Sequence, residues 1–110
     1  SVLAIVEACR AAAAAQGAEC AILASAGVGS VQCAFFPAAG ASAPDVYAGI
    51  LKAVRAVLPS DGSAVVVRCP VEVKPHIDVW GGSPTSIAAM RAAKRALDDS
   101  DILNRGRFLF

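Results

Sequence analysis

The chain has 110 residues, 56% of them hydrophobic and only 17% charged, and its formal net charge is +1. That length allows one domain with one modest core. The composition is not that of a disordered chain, and the charge excludes the strongly basic surface that would grip nucleic-acid phosphates or anionic lipid. Alanine is the commonest residue, and since it buries little area, close-packed helices are expected rather than a thick core.

No uninterrupted apolar run reaches the roughly 18 residues that cross a bilayer. The expectation is therefore a cytoplasmic protein with no transmembrane segment. The alanine-rich start lacks the basic opening of a secretory signal and carries Glu7 and Arg10, so it reads as a helix.

In chain order, residues 2–15 form the first expected helix. Val2, Ile5, Val6, Cys9, Ala12 and Ala13 recur near the 3.6 period, Glu7 and Arg10 fall on the other face, and Gln16-Gly17 supplies the stop. Residues 18–25 and 30–36 then read as two strands of an antiparallel hairpin, joined through Ala26-Gly27-Val28-Gly29. Pro44 and Asp45 open a second helix running through Leu58, with Val46, Ile50, Val54 and Val57 as its inner stripe. Pro59-Ser60-Asp61-Gly62 is a turn. Residues 63–69, with Val65-Val66-Val67, are expected to be a third strand buried on both faces.

The order helix, strand, strand, helix, strand is that of a ferredoxin-like β-α-β-β-α-β fold without its first strand. An α+β fold follows, with an antiparallel sheet carrying helices on one face and a carboxyl-terminal helix and tail. In that architecture the first strand is central, and without it the valine-rich strand has no neighbour. Residues upstream of Ser1, another chain or a changed pairing would have to fill the gap, and the expectation is that 110 residues are part of something longer. Residues 1–77 are assigned to the ferredoxin-like cap, incomplete at its start, and residues 78–110 to a terminal loop, helix and tail.

From Pro70 onward the chain is punctuated by Pro75, Gly81, Gly82 and Pro84. Ser83 can cap a third helix with Pro84 at its first position. Ile87, Met90, Ala93 and Leu97 are its expected buried face, and Arg91, Lys94 and Arg95 its solvent face. The run Asp98-Asp99-Ser100-Asp101 ends the helix, and residues 102–110 are too apolar for an idle tail.

Sites of chemistry are sparse. Cys9, Cys20, Cys33 and Cys69 contain no C-x-x-C spacing, and His76 has no second histidine, so a metal centre is not expected. The cysteines read as small buried hydrophobes, with Cys20 and Cys33 as near neighbours across the hairpin. No nucleophile elbow, phosphate loop or dinucleotide fingerprint occurs. His76 and Asp78 could act as an acid and base, or be ordinary loop residues. Trp80-Gly81-Gly82 could be a stacking platform or a core anchor for its loop. Arg105 and Arg107 could fork a phosphate or carboxylate, or be a solvated turn. Asn104 could tie loop backbone or reach a ligand.

Asp78-Val79-Trp80-Gly81, the helix Met90-Arg91-Ala92-Ala93-Lys94-Arg95-Ala96-Leu97-Asp98 and the segment Ile102-Leu103-Asn104-Arg105-Gly106-Arg107-Phe108 together resemble the carboxyl-terminal end of FAD-linked oxidases with the vanillyl-alcohol-oxidase type of flavin fold. The chain is most similar there to the FAD-binding subunit of bacterial glycolate oxidases. Those proteins close on a D-P-x-x-I-L-N-P-G-[KR] segment, in which Asp99 and Arg105 here replace the two prolines. The resemblance implies a longer FAD-dependent oxidoreductase whose upstream domain binds most of the FAD and is the partner of this cap, together with further oxidase subunits that could place it at a membrane periphery. It also implies Asn104, Trp80, Asp78 and Arg107 as the cofactor-side residues. The histidine-rich segment of the catalytic relatives has no counterpart, so no catalytic residue is assigned. The rival expectation is a self-contained ferredoxin-like ligand-binding or oligomerising module without redox activity, completing its sheet as a homodimer.

Overall fold

A computed structural model describes residues 1–81 and 84–105. The chain is α+β and divides into two compact units, Ser1–Val79 and Trp80–Phe110.

In the first unit, α1 spans Val2–Ala15. The Ser1 hydroxyl accepts from the amide of Ala4 at 3.4 Å, which satisfies one of the donors a helix start leaves open. Gln16 caps the other end, and Gly17 follows at φ +63°, a left-handed turn that glycine enters without a Cβ penalty. β1 (Ala18–Ser25) and β2 (Ser30–Pro37) pair antiparallel, from Ala18 opposite Pro37 to Ser25 opposite Ser30. A short 3-10 turn over Ala26–Val28 joins them and closes on Gly29 at φ +68°. α2 spans Ala43–Ala56, with Pro44 in its first turn, where the missing N–H costs nothing, and Asp45 beside the positive end of the dipole.

Alternation along the hairpin decides where the core lies. Ala18, Cys20 and Ile22 of β1 share a face with Val31, Cys33 and Phe35 of β2, and these residues are half-buried. Both helices pack against that side, and Cys9, Ala12, Val46, Ile50 and Val54 form the buried cluster, with Ile5, Ala18, Ile22, Cys33 and Phe35 packed on it. The other face, with Leu23 and Phe36, is exposed. The Tyr47 hydroxyl donates to the main-chain oxygen of Phe35 at 3.1 Å and fixes α2 over β2.

Two expectations change. Residues 63–69 form no strand, and among the described residues the sheet has two strands. The Val66 amide donates to the Val79 carbonyl at 2.7 Å. Val67 is 95% exposed and Val65 is exposed too, so the valine run is not buried on both faces. A strand needs a ladder neighbour, and among the described residues β1 and β2 pair with each other instead. Val57, expected in the inner stripe of α2, lies past the helix end and is exposed. Cys20 and Cys33 are near neighbours as expected, on the diagonal of one face of the hairpin, with Cys20 opposite Phe35 and Cys33 opposite Ile22.

In the second unit, α3 spans Pro84–Leu97. Its expected inner face is largely open, with Ile87 half-buried, Met90 and Ala93 exposed and Leu97 85% exposed. Lys94, expected to point to water, is half-buried. Its charge, rather than its stem, accounts for this: a carboxylate of the following turn holds it.

Candidate functional site

In the second unit, the described residues at the end of α3 build a polar cluster. Asp98 is 9% exposed and is the buried charged residue of the chain among those described. Its Oδ1 accepts from the amide of Ile102 at 2.9 Å, and its Oδ2 accepts from the amide of Leu103 at 3.0 Å. Lys94 Nζ, one turn earlier, donates to Asp98 Oδ2 at 2.7 Å and also to Asp101. The hydrogen bond from Lys94, joined by the Ile102 amide, holds the Asp98 carboxyl below the usual carboxylate range despite its burial. The Asp101 carboxyl is lowered for the same first reason, and the Lys94 ammonium is raised by Asp101 and Asp98. A buried carboxylate with two amide donors and one cation is a satisfied carboxylate. The i, i+4 spacing of Lys94 and Asp98 was the signal that could have marked the pair in the sequence.

This cluster folds the chain that follows α3. Asp101 and Asn104 both take φ +50°, in the left-handed region that asparagine and aspartate tolerate better than other side chains. Asn104 is exposed. Its conformation is one physical reason for an asparagine at this position.

In the first unit, Arg55 does work that the sequence does not announce. Its Nη2 donates to the main-chain oxygens of Ala64 at 2.9 Å and Asp78 at 2.6 Å, and its Nη1 lies 3.9 Å from the Asp78 carboxylate. Asp78, expected on the cofactor side, thus faces the end of α2. His76 is exposed and belongs to the short 3-10 turn Lys74–His76.

The expected site residues are therefore distributed. Asp78 falls in the first unit, Trp80 and Asn104 in the second, and Arg107 outside the described residues. Trp80 is half-buried. Two open hollows are lined by other residues, one by Ala21, Ile22, Leu23, Gln32, Cys33 and Ala34, the other by Arg91, Lys94, Arg95, Asp98, Asp99 and Asp101. The second carries three cations against three carboxylates, a balance that gives a pyrophosphate no net attraction. By themselves the described residues do not fit a flavin nucleotide, and no chemical step through one is derived from them. Nor is any group of three or more His, Cys, Asp or Glu side chains among them arranged to hold a metal ion. No described helix is long and apolar enough to cross a membrane.

Compared with known proteins, the chain matches no family model, no curated protein and no solved structure.

Proposed function

We propose that this chain is the carboxyl-terminal part of an FAD-dependent oxidoreductase similar to a glycolate oxidase subunit, with the role of covering a flavin held by another domain and helping to shape the substrate or electron-transfer site. The observation that carries this reading is the pair of motifs Asp78-Val79-Trp80-Gly81 and Ile102-Leu103-Asn104-Arg105-Gly106-Arg107 on either side of an amphipathic basic helix. Two features of the fold support it. Residues 63–69, with their valine run, join no sheet among the described residues. Met90 and Leu97 of α3, and Ile102 and Leu103 after it, are exposed, as expected for apolar groups whose docking surface belongs to a larger assembly.

The test is the intact mass of the natural gene product together with its visible absorption. A longer polypeptide carrying a flavin spectrum is the expected result. A colourless, stable species of 11.1 kDa from the complete gene overturns the reading.

The second reading, a self-contained module that dimerises through its sheet, is favoured by one observation: β1 and β2 pair only with each other and expose Leu23 and Phe36 on their open face. Sedimentation equilibrium of the same sample decides between them, since a colourless dimer supports the module and a flavin-bearing larger chain does not.

A further inference from the structure

The sulfur atoms of Cys9 and Cys33 are 3.3 Å apart, the Cys33 thiol donating to Cys9. Cys9 is 2% exposed on the inner face of α1, and Cys33 is half-buried on the inner face of β2. Both are free thiols. Twenty-four positions separate them in the chain, so only the packing of α1 on the hairpin brings them together.

We propose that Cys9 and Cys33 are a disulfide-forming pair whose oxidation by a low-molecular-weight disulfide, such as oxidised glutathione, covalently joins α1 to β2. The sulfurs need to close by only about 1.3 Å to reach the roughly 2.05 Å of the bond, a movement within the reach of side-chain rotation. Cys20 is excluded as the partner of Cys33 by register. It lies two residues along the same face, on the diagonal of the hairpin, where Cβ atoms stand farther apart than the roughly 3.5–4.5 Å that a disulfide spans.

Access and chemistry are both provided for. Cys33 is half-buried and keeps some contact with solvent, while Cys9 beside it is 2% exposed and shielded. The Cys33 sulfur, as thiolate, attacks one sulfur of oxidised glutathione, the glutathione S–S bond breaks, and one glutathione leaves as thiol. The Cys9 sulfur then attacks the Cys33 sulfur of the mixed disulfide, and the second glutathione leaves. Two protein thiols are oxidised, one glutathione disulfide is reduced to two thiols, and the two protein protons pass to the released glutathiones. Burial, followed by the contact with Cys9, pushes the Cys33 thiol up to about 12. The titratable groups facing it are Cys9 from α1 and Cys20 from β1, so no cation offsets the rise. Exchange is therefore slow at neutral pH and speeds up as pH increases.

The test equilibrates the folded 110-residue chain in glutathione buffers of stepped oxidation, quenches with acid, alkylates the remaining thiols and maps the cross-links by mass spectrometry. The wild type is expected to lose two hydrogens and to yield a Cys9–Cys33 linkage. In C20A/C69A, trypsin is expected to release residues 1–10 joined to residues 11–52. The oxidised wild type is expected to melt at a higher temperature than the reduced form. A Cys20–Cys33 linkage, or Cys33 held only as a mixed disulfide with glutathione while Cys9 stays reduced, overturns the proposal. So does oxidation of C33A/C69A to an internal Cys9–Cys20 bond at the same buffer ratio as the wild type. Mapping of the wild type stands as the deciding result if either variant fails to fold.

Discussion

The Nη2 nitrogen of Arg55 lies 2.6 Å from the main-chain oxygen of Asp78, and through this bond the end of α2 holds a stretch of chain that no sheet holds. The same nitrogen takes the carbonyl of Ala64, so one planar guanidinium ties the start of the segment that the sequence marked as a strand, residues 63–69, to the loop at Asp78. Arg55 Nε is buried without an acceptor among the described residues, and the side chain thus bears some desolvation cost in making the bridge.

Replacing Arg55 with alanine is therefore expected to destabilise the first unit by about 2 kcal/mol, the scale of hydrogen bonds made by a charged donor. Limited proteolysis should then cut first between residues 57 and 79. Arg55→Lys is expected to recover only part of the loss, because an ammonium does not reproduce the fixed fork. Unchanged urea midpoints and cleavage patterns would show that the bridge is incidental.

Ile50 is 2% exposed at the centre of the helix–hairpin core. Ile50→Ala should cost about 2–5 kcal/mol, the transfer of the lost methylenes plus the cavity left behind. Leu23→Ala, on the open face of the hairpin, should change stability by no more than about 0.5 kcal/mol. Denaturant titration of both variants checks the contrast, and equal losses would place the core on the wrong side of the sheet.

The Asp98 carboxylate gives the turn after α3 a pH signature. Because its folded value lies below the ordinary 3.8, its contribution is present above pH 3.8 and is lost as pH falls through the lowered value. Lys94, raised above its ordinary 10.5, contributes fully below pH 10.5 and less as pH rises through its raised value. Amide exchange at Ile102 and Leu103 should be protected in the wild type and fast in Asp98→Ala. Protection that survives the substitution would falsify the capping role.

Asn104 at φ +50° should accept glycine and resist valine. Asn104→Gly is expected to keep the backbone chemical shifts of residues 101–105. Asn104→Val should scatter them, since a β-branched residue pays at least the roughly 1–2 kcal/mol of the left-handed region. If the asparagine instead serves a ligand, glycine at this position would leave the fold intact but strip bound flavin from the natural gene product.

Local chemistry made much of the fold legible in the sequence. The 3.6-residue recurrence of Val2, Ile5, Cys9 and Ala12 marks α1 over Val2–Ala15, and glycines flank the hairpin turn where strands 18–25 and 30–37 meet. Pro44 and Asp45 announce α2 because proline and a carboxylate suit only the first turn of a helix. These signals involve residues a few positions apart, so the chain carries them without reference to anything distant.

What only the tertiary structure decided depends on partners far away in sequence. Val65-Val66-Val67 has every local mark of a buried strand, yet residues 63–69 form no ladder, because pairing needs a neighbouring edge and, among the described residues, β1 and β2 pair with each other. Periodicity placed Leu97 inward on α3 and Lys94 outward, and the opposite holds: a carboxylate four residues on, with two amides to bind, draws the ammonium in. The cysteine pattern put Cys20 near Cys33 across the hairpin, and the register makes them diagonal neighbours, but the layer of α1 above the hairpin puts the sulfur of Cys9 within 3.3 Å of Cys33. The sequence alone determines the identity and spacing of the thiols, and the packing of one helix on one face of two strands determines which of them meet.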